Sequence, residues 1–209
     1  MNYDFKVGYW RKRANAAAND RREDSQTWGG HSLRKYPSDC FAMQKLLCQC
    51  RPQVLVELGS QFGGSALFFS SFAAQAGIES IVSVDIDNQP KPQIPIATFI
   101  TGDSGSKEVF DQVAALVGQR SCSVIVDSNH HAEHVDKELV LYAPLVSAGQ
   151  ALIMEDTLVD VFNFRKFRAG GGPLRSIQKY MPQHPELVLA EGIEPYITTN
   201  YFGYWVKKP

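Results

Sequence analysis

Long hydrophobic runs are missing from this chain of 209 residues. No apolar stretch approaches the roughly 20 residues that a bilayer-spanning helix needs, so no membrane partner is expected. Met1 to Trp10 carries no secretory apolar core, and the four cysteines form no paired framework. Cys48 and Cys50 are one residue too close for a Cys-x-x-Cys redox motif, while Cys40 and Cys122 are isolated; reduced thiols in a cytoplasmic protein are expected. A surplus of one charge is also missing: 21 Lys and Arg stand against 22 Asp and Glu, a net charge of -1. That balance gives no case for nucleic-acid binding. There is no internal repeat and no low-complexity tract, and the length suits one domain with an appendage.

What is present is concentrated first in Val54-Leu55-Val56-Glu57-Leu58-Gly59-Ser60-Gln61-Phe62-Gly63-Gly64-Ser65. An apolar, β-branched run of strand length ends in a glycine-bearing turn and passes into a helical pattern. Open α/β sheets bind ligands at such strand-to-helix turns. A dinucleotide fingerprint needs Gly-x-Gly-x-x-Gly, and the second glycine is here Gln61. A P-loop needs lysine after its last glycine, and here Ser65 follows Gly64. Glu57 beside the turn repels phosphate and suits a cationic ligand. S-adenosylmethionine, with its sulfonium and ammonium groups, meets that condition; the plainer alternative is a glycine turn closing an ordinary βα unit.

The rest of the chain alternates between the two periods. Strands are expected at Val54–Leu58, Ser80–Asp85, Ala97–Thr101, Ser123–Asp127 and Ala151–Met154, with late strands near Leu187–Ala190 and Tyr201–Val206. Helices are expected from Ser38 or Asp39, acting as N-cap, to Cys50, and at about Ser65–Ala76, Ser106–Val117, Ala132–Leu145 and Leu174–Tyr180. Alternation of this kind predicts a Rossmann-like, doubly wound, mostly parallel sheet with helices on both faces. Residues 1–37, polar and anchored by Trp10 and Trp28, read as an N-terminal helical arm or cap on a domain spanning 38–209. Residues 158–172, with Arg165, Lys166 and Arg168 and a closing glycine run, have the composition of a lid; a solvated basic loop is the alternative.

Acidic residues fall at the expected C-terminal strand ends, where such a sheet places its crevice. Glu57, Asp85, Asp127, Glu155 and Asp156 all sit there. Asp85 lies 26 residues after Gly59, where an acidic side chain accepts from ribose hydroxyls, and Asp87 is placed to share that role. In Gly102-Asp103-Ser104, Asp103 suits an adenine amino group or an N-cap. Asp127-Ser128-Asn129-His130-His131-Ala132-Glu133-His134, together with Glu155-Asp156-Thr157, suggests a metal site. Its carboxylates are hard oxygen donors that favour magnesium or another octahedral divalent ion. The competing arrangement is a zinc pair of His130 and His134, which lacks the His-Glu-x-x-His order.

These residues carry a family resemblance. Asp127 to His130, Glu133-His134-Val135, Tyr142-Ala143-Pro144-Leu145 and Glu155-Asp156-Thr157 resemble the cephalosporin hydroxylase/rhamnosyl O-methyltransferase family. So do Trp28-Gly29, Lys35, Pro37 and Asp39 upstream, and Glu57 to Gly59 with Gly63 to Ser65. That family is similar to magnesium-dependent catechol-type O-methyltransferases of the S-adenosylmethionine fold. The resemblance implies that Asp127, Glu155 and Asp156 hold the metal. It places Glu57, Gly59, Ser60, Gly64, Ser65, Asp85 and the Gly102-Asp103-Ser104 turn around the cofactor, and Asp87 and Asp127, by their place at the strand ends, are counted with these cofactor-binding residues. His130, three residues after Asp127, takes the position of the catalytic lysine of catechol-type enzymes and has the pKa of a general base near neutrality. His131 stands where a small hydroxyl residue is expected, which leaves open which of the two histidines faces the substrate.

The expected reaction is methyl transfer to a hydroxyl of a small molecule, with sugars of glycosylated natural products or glycans implied by the resemblance. A nucleotide-binding protein without methyl transfer, or a metal-dependent hydrolase, uses the same fold and stands as the alternative. The aromatic end from Tyr196 to Trp205 suits an edge strand or the interface of a homo-oligomer.

Overall fold

The computed structural model describes residues 26–161, 170–195 and 197–209. A short hairpin opens it, strands β1 (Thr27–Trp28) and β2 (His31–Ser32), turned at Gly29 and Gly30, both with positive φ. A helical arm was expected here; the rest of that arm, residues 1–25, lies outside the described residues. Trp28 is partly exposed and meets the edge of Phe68 at 5.2 Å.

Helix α1 (Pro37–Cys50) begins two or three residues earlier than expected, because proline is pre-set for the first helical turn and needs no N–H partner there. Neither Ser38 nor Asp39 is its cap; Tyr36 is, without a side-chain bond. Asp39 is instead buried and turned inwards. Next come β3 (Val54–Leu58), α2 (Gly64–Ser71) and α3 (Ala73–Ala76), the expected single helix being broken at Phe72. β4 (Ser80–Asp85), β5 (Ala97–Thr101), α4 (Lys107–Val117) and β6 (Cys122–Val126) follow, then α5 (Ala132–Tyr142), which tightens into a 3-10 turn at Pro144. β7 (Ala151–Met154), α6 (Leu158–Val161), α7 (Pro173–Tyr180), β8 (Leu187–Leu189) and β9 (Tyr204–Lys207) complete the described chain.

The seven-stranded sheet has the order β5-β4-β3-β6-β7-β9-β8. β3 to β7 are parallel, and β9 runs antiparallel between β7 and β8. The strands alternate between two cores, as the period of two demands. Val54, Val56 and Leu58 pack with Val113, Leu139 and Ile177 of α4, α5 and α7. Leu55, Ile81, Ile125 and Ile153 pack with Met43, Leu47 and Phe69 of α1 and α2. Full burial of one such side chain contributes about 1.5–3 kcal/mol.

This alternation positions the site. Glu57 shares the parity of Leu55, Asp127 that of Ile125, and Glu155 that of Ile153. Three carboxylates from adjacent strands therefore line up at the C-terminal edge, towards the face covered by α1 and α2.

Candidate active site

A cleft of about 550 Å³ opens at the C-terminal ends of the parallel strands. Its wall is built from the loops after β3, β4, β5, β6 and β7, the crevice of a doubly wound sheet. Gly59, Ser60, Ser65, Asp85, Asp87, Gly102, Asp103, Ser104 and Asp127, all expected from the sequence, line it. Ser32, Leu33 and Arg34, between the hairpin and α1, line it as well.

The glycine loop is shaped by packing. Gly59 has φ 101°, and a Cβ there would lie 2.1 Å from the carbonyl oxygen of Asp127. A Cβ on Gly64 would lie 2.0 Å from the carbonyl oxygen of Ser32. Gly64 is thus a seat for the lead-in chain behind the wall, where sequence reasoning placed it against a ligand. Glu57 also lies behind the wall, fully buried, one oxygen accepting from Ser83 Oγ at 2.6 Å. Burial pushes its carboxyl up, against the Lys35 ammonium and the Ser65 and Ser83 hydroxyls.

Asp85 organises the loop beside it: Oδ2 accepts from the Gln61 N–H at 2.5 Å and Oδ1 from the Asp87 N–H at 2.9 Å. Asp103 accepts from the Gly105 N–H at 2.8 Å, and the N-cap of α4 is Ser106. The buried Ser60 hydroxyl has no hydrogen-bond partner among the described residues and belongs to the cleft wall. A buried unpaired hydroxyl costs free energy unless something else satisfies it, which fits a polar ligand here.

At the other end of the cleft, Asp127, His130 and Asp156 each bring one ligand atom into a group within 4.8 Å. His130 Nε2 lies 3.2 Å from Asp127 Oδ1 and 3.6 Å from Asp156 Oδ2. Burial opposes the charge on His130, yet the bond to Asp127 and the charge of Asp156 raise it to about 9. Asp156 sits at φ 52°, its N–H held by Asn200 Oδ1 at 2.8 Å, a left-handed conformation that aims its carboxylate at His130. Burial pushes the Asp156 carboxyl up, against the charge of His130. The oxygen donors suit magnesium better than a softer ion.

Glu155 is not in that group: it is buried, and Oε1 accepts from Lys35 Nζ at 2.5 Å. Lys35 Nζ also donates to Asp127 Oδ2 at 2.7 Å. Burial favours neutral Asp127, but Lys35 and His130 outweigh it and hold the carboxyl below the usual range. Of the adjacent histidines, His130 lines the cleft and His131 caps α5.

His134 turns to a separate cluster, with Nε2 3.1 Å from Ser104 Oγ and 3.4 Å from Glu138 Oε1. The zinc pair of His130 and His134 therefore has no shared centre here. Glu138, fully buried, accepts from Ser104 and Ser128 hydroxyls, both at 2.5 Å, and ties the loop after β5 to the loop after β6. Sequence reasoning missed Glu138; the available signal was its place on the apolar stripe of Val135, Leu139 and Tyr142. The lid expected at 158–172 lies partly outside the described residues, Arg165, Lys166 and Arg168 included. Its glycine end is tied down: the Gly172 N–H donates to Asp160 Oδ1 at 2.5 Å.

Strand order, crevice and carboxylate row define a methyltransferase-type Rossmann-like α/β protein. The chain belongs to the rhamnosyl O-methyltransferase/CmcI family, whose model matches residues 21–208. A rhamnosyl O-methyltransferase of Mycobacterium leprae (strain TN) is 32% identical over 168 residues, covering 78% of this chain and 73% of that protein. One of Mycobacterium tuberculosis (strain ATCC 25618 / H37Rv) is 29% identical, covering 76% and 67%. Among solved structures, CmcI with Mg-SAM superposes with a TM-score of 0.67 at 20% identity, over 89% of this chain and 78% of that one. CalS11, a TDP-rhamnose 3'-O-methyltransferase, gives 0.58 at 16% identity, over 84% and 82%. Membership places the chain among O-methyltransferases. Among the described residues no helix is long and apolar enough to cross a membrane.

Proposed function

We propose that this protein methylates a hydroxyl of a sugar-bearing small molecule, using S-adenosylmethionine and a divalent metal ion, magnesium first. The observation that carries the proposal is the convergence of Asp127, His130 and Asp156 at one end of a cleft whose other end presents Ser60, Asp85 and Asp103. The rhamnosyl O-methyltransferase relatives support a sugar acceptor.

When bound, S-adenosylmethionine supplies the methyl group and the divalent ion supplies positive charge that lowers the acceptor hydroxyl's pKa. Asp127 and Asp156 hold the ion, and Glu155, the third oxygen donor of the proposed set, adds to them. Asp85 and Asp87 accept from the ribose hydroxyls, Asp103 from the adenine amino group. His130 takes the acceptor's proton at Nε2. Its raised pKa comes from Asp127 and Asp156, so neutralising those carboxylates lowers it into the range of a working base.

Calorimetric titration tests the proposal. S-adenosylmethionine and S-adenosylhomocysteine are expected to bind, and NAD and ATP not, followed by magnesium-dependent methylation in a screen of sugar and catechol acceptors. Binding of NAD or ATP alone overturns the proposal.

A further inference from the structure

Lys35 comes from the segment between the hairpin and α1, and its side chain is 1% exposed. A lysine this deep survives as a cation only if paired, and it faces three carboxylates: Asp127, Glu155 and Glu57. Two are direct partners, Asp127 Oδ2 at 2.7 Å and Glu155 Oε1 at 2.5 Å. The other oxygen of Asp127 faces His130. Every oxygen of Asp127 thus already carries a donor, and Glu155 is drawn towards Lys35 and away from the group of Asp127, His130 and Asp156.

We propose that Lys35 is a positioning residue that acts as a resident cation of the metal site, holding Asp127 and Glu155 together while the site is empty and competing with the incoming divalent ion for them. This rests on the metal-assisted reading above. The ammonium spares the fold a row of uncompensated buried carboxylates, and it sets how tightly the ion is held, because two cations on the same oxygens repel. A lysine that only packed the lead-in against the sheet would behave differently: its loss would loosen the site and weaken metal binding.

The experiment is Mn2+ titration followed by electron paramagnetic resonance, with thermal unfolding with and without Mg2+, on wild type, Lys35→Met and Lys35→Arg. K35M is expected to melt lower than wild type without metal, to bind Mn2+ at least tenfold more tightly, and to recover most of its lost melting temperature in Mg2+. K35R, which keeps the charge, stays within about threefold of wild type in Mn2+ affinity. Wild type that binds Mn2+ alongside K35M that binds it equally or less tightly overturns the role of Lys35 and leaves the metal site standing. No Mn2+ binding in either protein sinks the metal reading and this proposal with it. Should K35M not fold, K35M/E155Q, which removes one charge of each sign, is expected to restore folding; a double variant no more stable than K35M overturns the proposal.

Discussion

Asp127 Oδ1 and His130 Nε2 face each other at 3.2 Å within the five-residue link between β6 and α5, with Asp156 Oδ2 3.6 Å from the same nitrogen. The pair makes His130 an acid in the metal-free protein. With its pKa at about 9 against an unfolded value near 6.5, the pairing contributes stability that is fully present below about pH 6.5. That contribution is lost as pH rises through about 9. Imidazole resonances of metal-free protein should show one histidine titrating at the high end of this window, and magnesium should lower its midpoint. His130→Ala should remove that resonance and abolish methyl transfer while leaving S-adenosylhomocysteine affinity within about threefold.

The contact between Gly64 and the Ser32 carbonyl predicts an effect on the cofactor end. Gly64→Ala pushes the lead-in off α2, since the new methyl meets rigid backbone at 2.0 Å. A loss of about 1–3 kcal/mol is expected in urea unfolding. S-adenosylhomocysteine affinity should fall with it, because Ser32, Leu33 and Arg34 are part of the cleft wall. Gly118→Ala, where nothing among the described residues lies within 4 Å, is the control for the steric effect and should leave S-adenosylhomocysteine affinity unchanged.

Asp39 ties the start of α1 to the C-terminal segment. Its Oδ1 accepts from Thr198 Oγ1 at 2.5 Å and Tyr204 OH at 2.9 Å, and its Oδ2 from the Thr199 N–H at 3.0 Å. Asp39→Ala strands these buried donors and should cost about 3–5 kcal/mol, read as a lowered urea midpoint with unchanged slope. An effect under about 1 kcal/mol would show that water or rearrangement satisfies them.

The parallel strands were legible because each is a short apolar run bounded by turn residues, and the cleft followed from their alternation with helices. The acidic residues at strand ends were legible for the same reason, since β3 to β7 all point one way. What could not be read is what depends on distant partners. Lys35 meets Glu155 across 120 residues, and nothing local distinguishes it from a solvated lysine. Asp39 has the local look of a helix cap, and only the fold brings Thr198 and Tyr204 to it. The polar lead-in suggested a helix, and its described end, residues 26–35, instead turns at Gly29-Gly30 into a hairpin seated on α2. The break at Phe72, where the backbone leaves the helical region at φ -122° and ψ 14°, has no signal in the apolar pattern, and its ring still packs on Phe68 and Phe69 of the preceding turn.

The insertion of β9 between β7 and β8 has a consequence for the order of events during synthesis. Asn200 holds the Asp156 backbone, the Leu158 N–H donates to Thr199, the Thr157 hydroxyl donates to Tyr201, and Asp39 waits for Thr198 to Tyr204. A nascent chain that has emerged only as far as β7 holds every strand of the parallel pairings, and Asp127 has Lys35 and His130, yet Asp156 still lacks the Asn200 bond that fixes its aim. Competence for chemistry therefore waits on the segment from Thr198 to Lys207 threading back into the sheet beside β7.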